Sequence, residues 1–351
     1  MAQKITEIHY TICPVGNASY IAAHKGWLEE GLAPLGVKPV LLQTLPQERW
    51  KAHFDQSDTV LFREGGNIPP IWAKSRGAGV VLIGTALLAQ KQYILVRADS
   101  PIDSIDELIR YRLCIPVRSG ALIDFHRASA EHGFALALAS RGFSLSQAKL
   151  VQLVSEGDFH SKKFYDEKNT NSPGFVSPEF DALDRGEVDA VYVKLALIQK
   201  ALETGKYRVL FDLTANTKQL SPINNEYPEA FTVSRQLAEE RPDIVTAYVK
   251  QVVRAALWAK SNYAEALKWL ADQNRATTVQ AAGSYGFDFH KHLDLDLSDA
   301  SLGILEGQKR FLFDRGYLEK DFDLAAWADD RFLKAAAAEL AAEGAASRSA
   351  A

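Results

Sequence analysis

Cysteine is scarce in this chain. Its 351 residues hold two, Cys13 and Cys114, about a hundred positions apart. That spacing makes neither a disulfide framework nor a set of metal ligands. A single methionine argues against an adaptable Met-lined groove. Charge of one sign is also missing. Forty basic residues stand against 44 acidic ones, a net charge of −4, which excludes nucleic acid as a partner. No run approaches the roughly 18 apolar residues of a membrane span. The longest, GVVLIGTALLA near residue 80, is short and broken by glycine. The first 20 residues lack the apolar stretch of about 7–15 residues that a secretory signal needs, because Glu7, His9 and Tyr10 interrupt it. The expected compartment is therefore the cytoplasm, with no membrane partner. What remains is ordinary globular material, 47% hydrophobic and 24% charged, long enough to bury a large core. At roughly 100–200 residues per domain the length implies two domains.

Short stretches rich in Val, Ile and Leu alternate with helical patterns through the first two thirds, which indicates an α/β fold with buried strands. The strand candidates are ITEIHYTIC, PVLLQTL, TVLFR, VVLIG, YILVR, RLCIPV, LVQLV, DAVYV and YRVLFDL, and later AFTVS. Ser104 to Glu107 reads as a capping box opening a helix. Helical periodicity runs from Gly120 to Arg141 and from Lys194 to Thr204, the second ending at Gly205 as a C-terminal glycine should. The last third is nearly all helix: one starts at Pro242, where a missing N–H costs nothing, and others cover 263–272 and 299–315. The final residues of the low-complexity tail are expected to be unordered. This order suggests two α/β lobes with a ligand cleft between them. Lobe I comprises 1–96 plus 217–351, and lobe II 97–216. The hinges fall near Val96 and within 216–227.

Cys13 ends the first strand and is followed by Pro14, Val15, Gly16 and Asn17, with a helix from Asn17 or Ala18 to about Gly31. Such turns at the carboxyl ends of strands form the ligand crevice of open α/β sheets. A helix N-terminus beside the sulfur favours its thiolate. A buried inert thiol is the alternative. The second signal is Arg63-Glu64-Gly65-Gly66-Asn67-Ile68-Pro69-Pro70. Arg63 stands where a strand ends, and it offers a two-pronged fork for a two-oxygen anion. The glycines allow close backbone approach. Asn67 is placed to cap the next helix, and the Gly65, Gly66 and Asn67 amides can form an anion nest. The alternative is a tight turn with a solvated arginine. His53, between these turns, can bond the thiol or pass protons; otherwise it is one of eight histidines on a loop. Glu64 is either the ion partner of Arg63 or a water-facing side chain. Cys114 alternates within RLCIPV as a core residue. His290 and His292 read as a solvated pair, with no metal expected. Val117-Arg118-Ser119-Gly120 is a third strand-to-helix turn, in lobe II, and offers Ser119 as a ligand contact.

At these residues the chain resembles the hydroxybiphenyl sulfinate desulfinases. Ile12-Cys13-Pro14-Val15-Gly16-Asn17-Ala18 is similar to that family's nucleophile segment. His53-Phe54 and Arg63 to Pro70 are similar to its two other active-site segments, in the same order. Gly186 to Tyr192 and the helix-rich last third also look alike. The resemblance implies a two-lobed fold of the periplasmic binding protein type (type II), with mixed sheets flanked by helices. It further implies cytoplasmic hydrolysis of an aryl C–S bond to release sulfite, no cofactor, and a monomer whose partner is a small aromatic sulfinate. Carried over, Cys13 is the catalytic thiol and His53 its imidazole, while Arg63 and the Gly66 N–H, with Gly65 beside it, hold the sulfinate. The chain departs from the pattern at Glu64, where the family has an aromatic residue. It departs again at Gly16, for a proline, and at Asn67, for an acid. A carboxylate beside Arg63 would weaken anion binding or reshape the pocket. Two other functions fit the same scaffold: a transporter's binding protein for a sulfonate or aromatic anion, and a lyase or decarboxylase acting on another small anion.

Overall fold

The computed structural model describes residues 5–156, 177–215 and 223–349. In chain order its strands are β1 Glu7–Ile12, β2 Lys38–Leu41, β3 Leu61–Gly65, β4 Val80–Ala86, β5 Gln92–Arg97, β6 Arg112–Ser119, β7 Lys149–Glu156, β8 Val191–Lys194, β9 Tyr207–Asp212, β10 Glu229–Ser234 and β11 Leu295–Asp296. Its α-helices are α1 Ala18–His24, α2 Trp27–Leu32, α3 Ala52–Asp55, α4 Ile68–Ser75, α5 Phe125–Ala139, α6 Pro178–Asp184, α7 Ala196–Glu203, α8 Arg235–Glu240, α9 Pro242–Ser261, α10 Tyr263–Gln273, α11 Thr278–Tyr285, α12 Asp299–Asp314 and α13 Arg331–Ser349. No helix among the described residues is long and apolar enough to cross a membrane.

The chain divides into two compact units. The first comprises Met1–Leu88, Pro228–Asn274 and Asp288–Ala351, and the second Ala89–Tyr227 and Arg275–Phe287. Both boundaries differ from the expected ones. The first crossing precedes β5 instead of following it, because β5 is the central strand of the second unit's sheet and pairs with β8 and β9. The second comes at Tyr227; the expected break at 216/217 lies outside the described residues. The C-terminal helices do not all return to the first unit either. Within the second, Gln280 of α11 donates to Glu203 of α7, and the Lys91 amide bonds the Ser284 carbonyl.

The first unit is built on a six-stranded sheet, order β11-β4-β10-β3-β1-β2. Strands β2, β1 and β3 run parallel, whereas β10 inserts antiparallel between β3 and β4. Every residue of β3, β4 and β10 is buried, so these strands are covered on both faces, and β4 reads as the apolar run VVLIGTA. Phe62 of β3 stacks on Tyr248 of α9 at 4.1 Å, with Phe231 of β10 beside them. Each such ring contributes on the order of 1.5–3 kcal/mol by leaving water.

The segment before β3 is anchored by a buried cluster. His9 of β1 bonds Asp58 at 2.7 Å, Arg49 reaches the same carboxylate at 2.8 Å, and Asp58 accepts the Val60 amide. Burial alone would raise the Asp58 pKa, but His9, the Val60 amide and Arg49 hold it at about 2, and Asp58 raises His9 in return. The cluster fixes the chain around α3 against β1.

In the second unit, β8-β5-β9 form an antiparallel sheet and β6-β7 a parallel pair. Ile94, Val96, Leu113 and Ile115 pack with Phe134 and Leu138 of α5. The opposite faces, Tyr93, Leu95 and Cys114, pack with Phe180 of α6 and Ile198 of α7.

Several local expectations change. The expected single helix from Asn17 to Gly31 is two, because Gly26 takes a left-handed conformation (φ 71°) between α1 and α2. The capping box at Ser104 and Glu107 forms, but it opens a 3-10 turn over Ile105–Arg110. The helix expected from Gly120 starts at Phe125, capped by the Asp124 side chain. The last residues of the tail, 350–351, lie outside the described residues.

Candidate active site

Cys13, His53 and Arg63 meet on one face of the first unit's sheet. The Cys13 amide still follows the sheet, donating to the Glu64 carbonyl at 3.0 Å; beyond it the chain turns. The Cys13 carbonyl accepts the Val15 amide at 2.8 Å and the Gln273 side-chain amide, from the end of α10, at 3.0 Å. Asn17 then caps α1 by accepting the Tyr20 amide, and its own amide nitrogen donates to Val15 O and to Glu229. These contacts fix the turn that carries the thiol.

His53 lies within α3, not on a loop, and is 4% exposed. Its Nε2 is 3.4 Å from Cys13 Sγ. Its Nδ1 is 2.9 Å from the hydroxyl of Thr11, which in turn accepts the Gln43 side-chain amide at 2.9 Å. Thr11 precedes Cys13 by two residues, so the pleat of β1 points both side chains to the same face.

Arg63 is 1% exposed. Its Nε donates to the His53 carbonyl at 3.3 Å, Nη1 to the Gly66 carbonyl, and Nη2 to Cys13 Sγ at 3.7 Å. The guanidinium therefore links all three sequence signals. Among the described residues it makes no ion pair with a carboxylate. A buried cation without a counter-charge is expensive, and it favours an anion beside it, a thiolate included.

Gly65 is required where it stands. Its φ is +143°, and a Cβ there would lie 2.2 Å from Cys13 Sγ. Gly66 presents its carbonyl to Arg63. Asn67 does not cap α4 as expected; it is already helical, and its side-chain amide donates to Pro228 O, tying the turn to the segment entering β10.

Glu64 neither pairs with Arg63 nor faces water. The β pleat sends it to the opposite face of β3, 1% exposed, toward the first turn of α1. The Ser19 hydroxyl and amide pull its pKa down, as does Arg63 more weakly, yet neither carboxyl oxygen completes a hydrogen bond. Burial dominates and pushes it up to about 7. The departure from the family pattern thus places a buried carboxyl with a raised pKa behind the strand, not a competing anion beside the thiol.

The other candidates fall elsewhere. Ser119 ends β6 in the second unit and is exposed. Its neighbour Arg118 pairs with Glu179 and bonds Ser155. Cys114 is in the core as expected, 1% exposed, its thiol pushed up to about 12 by burial and then by Glu179. His290 and His292 are not a solvated pair: His290 is buried against Tyr263, and His292 alone is exposed, bonded to Asp288. Three participants escaped the sequence reading. Thr11 had a usable signal, its i−2 spacing from Cys13 on a strand; Gln43 and Gln273 had none.

No family model matches the chain. The 2'-hydroxybiphenyl-2-sulfinate desulfinase of Rhodococcus erythropolis is 27% identical to it over 349 residues, covering 92% of both chains. Among solved structures, a cysteine-to-serine mutant of DszB in complex with biphenyl-2-sulfinic acid aligns with a TM-score of 0.76 and 24% identity, over 95% of this chain and 99% of that one. The periplasmic aliphatic sulphonate binding protein SsuA from Escherichia coli aligns at 0.64 and 17%, over 92% of each. The fold is thus that of the periplasmic binding proteins, with mixed sheets flanked by helices. Within that class the chain resembles the hydroxybiphenyl sulfinate desulfinases over almost its whole length.

Proposed function

We propose that the protein is a desulfinase that hydrolyses the C–S bond of an aromatic sulfinate and releases sulfite, with Cys13 as its catalytic thiol. The observation that carries this reading is the convergence of the buried Arg63 guanidinium and the His53 ring on Cys13 Sγ. Arg63 supplies the unbalanced positive charge that a sulfinate needs. The Gly65–Gly66 turn, which Arg63 holds by the Gly66 carbonyl, brings backbone close to the sulfur, and the Gly66 N–H is assigned to a sulfinate oxygen.

In the reaction, the Cys13 S–H gives its proton to the ring carbon that bears sulfur. The C–S electron pair becomes the new C–H bond, and sulfur leaves as SO2. Water adds to SO2, giving bisulfite and one proton, which returns to the thiolate. During the first step negative charge builds on Cys13 Sγ, toward which an Arg63 N–H already points and beside which His53 Nε2 lies at 3.4 Å. Donors fixed in advance at a developing charge are the most effective form of electrostatic catalysis. A hydroxyl ortho to the reacting carbon would activate the ring. Like the desulfinases it resembles, the protein is assigned 2'-hydroxybiphenyl-2-sulfinate or a related aryl sulfinate as substrate. A thiol that must stay reduced suits the cytoplasm. Every group named comes from one chain, so a monomer suffices.

The test is sulfite release across a panel of aryl and alkyl sulfinates, with Arg63→Lys as the control. Turnover of aryl sulfinates, with kcat/KM about 10²-fold lower for the lysine variant, is expected because a point charge replaces the fork. Tight binding without sulfite would make the protein a binding protein. Carbon dioxide released from aromatic carboxylates would make it a decarboxylase.

A further inference from the structure

The Thr11 hydroxyl stands between two nitrogens, and its oxygen already accepts one hydrogen bond. The donor is Gln43 Nε2 at 2.9 Å, from the turn after β2. The other nitrogen is His53 Nδ1, also at 2.9 Å. Among the described residues the hydroxyl meets these two partners, and Thr11 is 1% exposed, so water does not offer a third. An amide nitrogen cannot accept a hydrogen bond. The hydroxyl hydrogen therefore goes to His53 Nδ1, which must carry a lone pair, and the ring hydrogen of the neutral imidazole sits on Nε2, toward Cys13 Sγ. Gln43 Oε1 is buried without a partner among the described residues, and the contact to Thr11 is the side-chain hydrogen bond that Gln43 makes there.

We infer that Gln43 is a positioning residue: by donating to Thr11 it sets the direction of a hydrogen-bond chain, Gln43 to Thr11 to His53 to Cys13, that keeps His53 as a donor to the sulfur. The inference deepens the reading of Cys13 as the catalytic thiol and rests on it for its consequence, but not for its geometry. An imidazole of the other tautomer would accept the S–H and hold the proton that the reaction sends to the ring carbon. With Nε2–H in place the S–H is left for the substrate, and the sulfur left behind is met by two donors, His53 and Arg63. Arg63 and Glu64 are the charged residues of β3 beside the pair, and Phe54 packs against it. Arg63 faces the sulfur from β3 and bonds the His53 carbonyl. Glu64 leaves β3 on the other face. Phe54 packs its ring edge-on to the imidazole at 4.8 Å.

The experiment reverses the chain with one substitution. In Gln43→Glu the carboxylate can only accept, so it takes the Thr11 hydrogen, and the Thr11 oxygen then accepts from His53 Nδ1–H. Nitrogen-15 spectra of His53 should show Nε2–H in the unaltered protein and Nδ1–H in Gln43→Glu. The rate of Cys13 alkylation by iodoacetamide against pH should shift so that the variant reacts roughly tenfold more slowly at neutral pH, the loss of about one hydrogen bond to a charged sulfur. Thr11→Val should slow alkylation similarly, and Thr11→Ser should restore it. An Nδ1–H ring in the unaltered protein overturns the inference, even if a variant fails to fold. So does an unmoved alkylation profile in a folded Gln43→Glu. Neither readout uses a sulfinate. A protein with the Nε2–H ring that releases no sulfite would therefore defeat the function and leave the hydrogen-bond chain standing.

Discussion

Cys114 lies within a strand of a mixed α/β fold and Cys13 just past the end of one, and both follow an apolar residue. Cys114 lies in the middle of β6, paired opposite Val151, in the core cluster of the second unit that also holds Phe180 and Val193. Cys13 lies one residue past β1 in the first unit, half-buried, with an imidazole and a guanidinium at hydrogen-bonding range of sulfur. Burial pushes the Cys114 thiol up to about 12 and keeps it neutral. The lesson is that a strand makes a thiol inert along its length and useful only where the ladder stops. There the chain must turn, backbone amides come free, and side chains from neighbouring strand ends share one small volume.

The largest test of that contrast exchanges oxygen for sulfur at each site. Cys13→Ser should lower sulfite release by 10³-fold or more, because a serine hydroxyl is too weak an acid to protonate carbon, and a positioned acid contributes roughly 10²–10⁴. Cys114→Ser should leave kcat/KM unchanged and cost about 1–3 kcal/mol of stability in urea unfolding, the penalty of a buried hydroxyl. Equal losses of turnover at both positions would erase the contrast.

A steric test is smaller. Gly65→Ala puts a methyl group 2.2 Å from the present place of Cys13 Sγ, at a φ that alanine resists. It should destabilise the fold by about 3 kcal/mol and displace the thiol, cutting turnover as well. The glycines of surface turns, such as Gly77, whose added Cβ would meet no atom within 4 Å, should show only the backbone part of that cost.

The smallest effect concerns the other face of β3. A buried acid whose pKa is raised binds its proton more tightly folded than unfolded. The stability it confers is therefore present below its ordinary 4.5 and is lost as pH rises through about 7. Raised His9 slopes the same way at higher pH. Unfolding free energies from urea titrations at pH 5 and pH 8 should differ by roughly 2 kcal/mol less in Glu64→Gln than in the unaltered protein. An unchanged slope would mean that Glu64 is ionised in the fold.

Most of this architecture was legible beforehand, and the reasons are specific. Ten strands announced themselves because they are short and rich in Val, Ile and Leu, most plainly β4, whose run VVLIG is buried on both faces. Strand β11 did not, since its two residues carry no period. The early end of the helix at Gly26 was hidden because a single glycine is tolerated within a helical pattern. The site was legible where it is local: Cys13 stands just past a strand's end, and Arg63 was marked by the glycines after it, although β3 runs on to Gly65 and holds Arg63 at its centre, not at its end as expected. It was opaque where residues meet through tertiary packing. Nothing near Gln43 or Gln273 distinguishes them from solvated glutamines. Glu64 looked like a neighbour of Arg63 because adjacency in sequence hides the alternation that sends the two to opposite sides of the sheet.

One tether sets the order in which this chain can mature. The side chain that holds the Cys13 carbonyl, Gln273, is made 260 residues after Cys13, and β10, the strand that pairs with β3, is also made after both Cys13 and β3. A nascent chain shorter than that carries its reactive sulfur on an unfinished turn. A fragment ending before residue 273 would keep Cys13, His53 and Arg63 and still lack the tether that holds the thiol's turn in place.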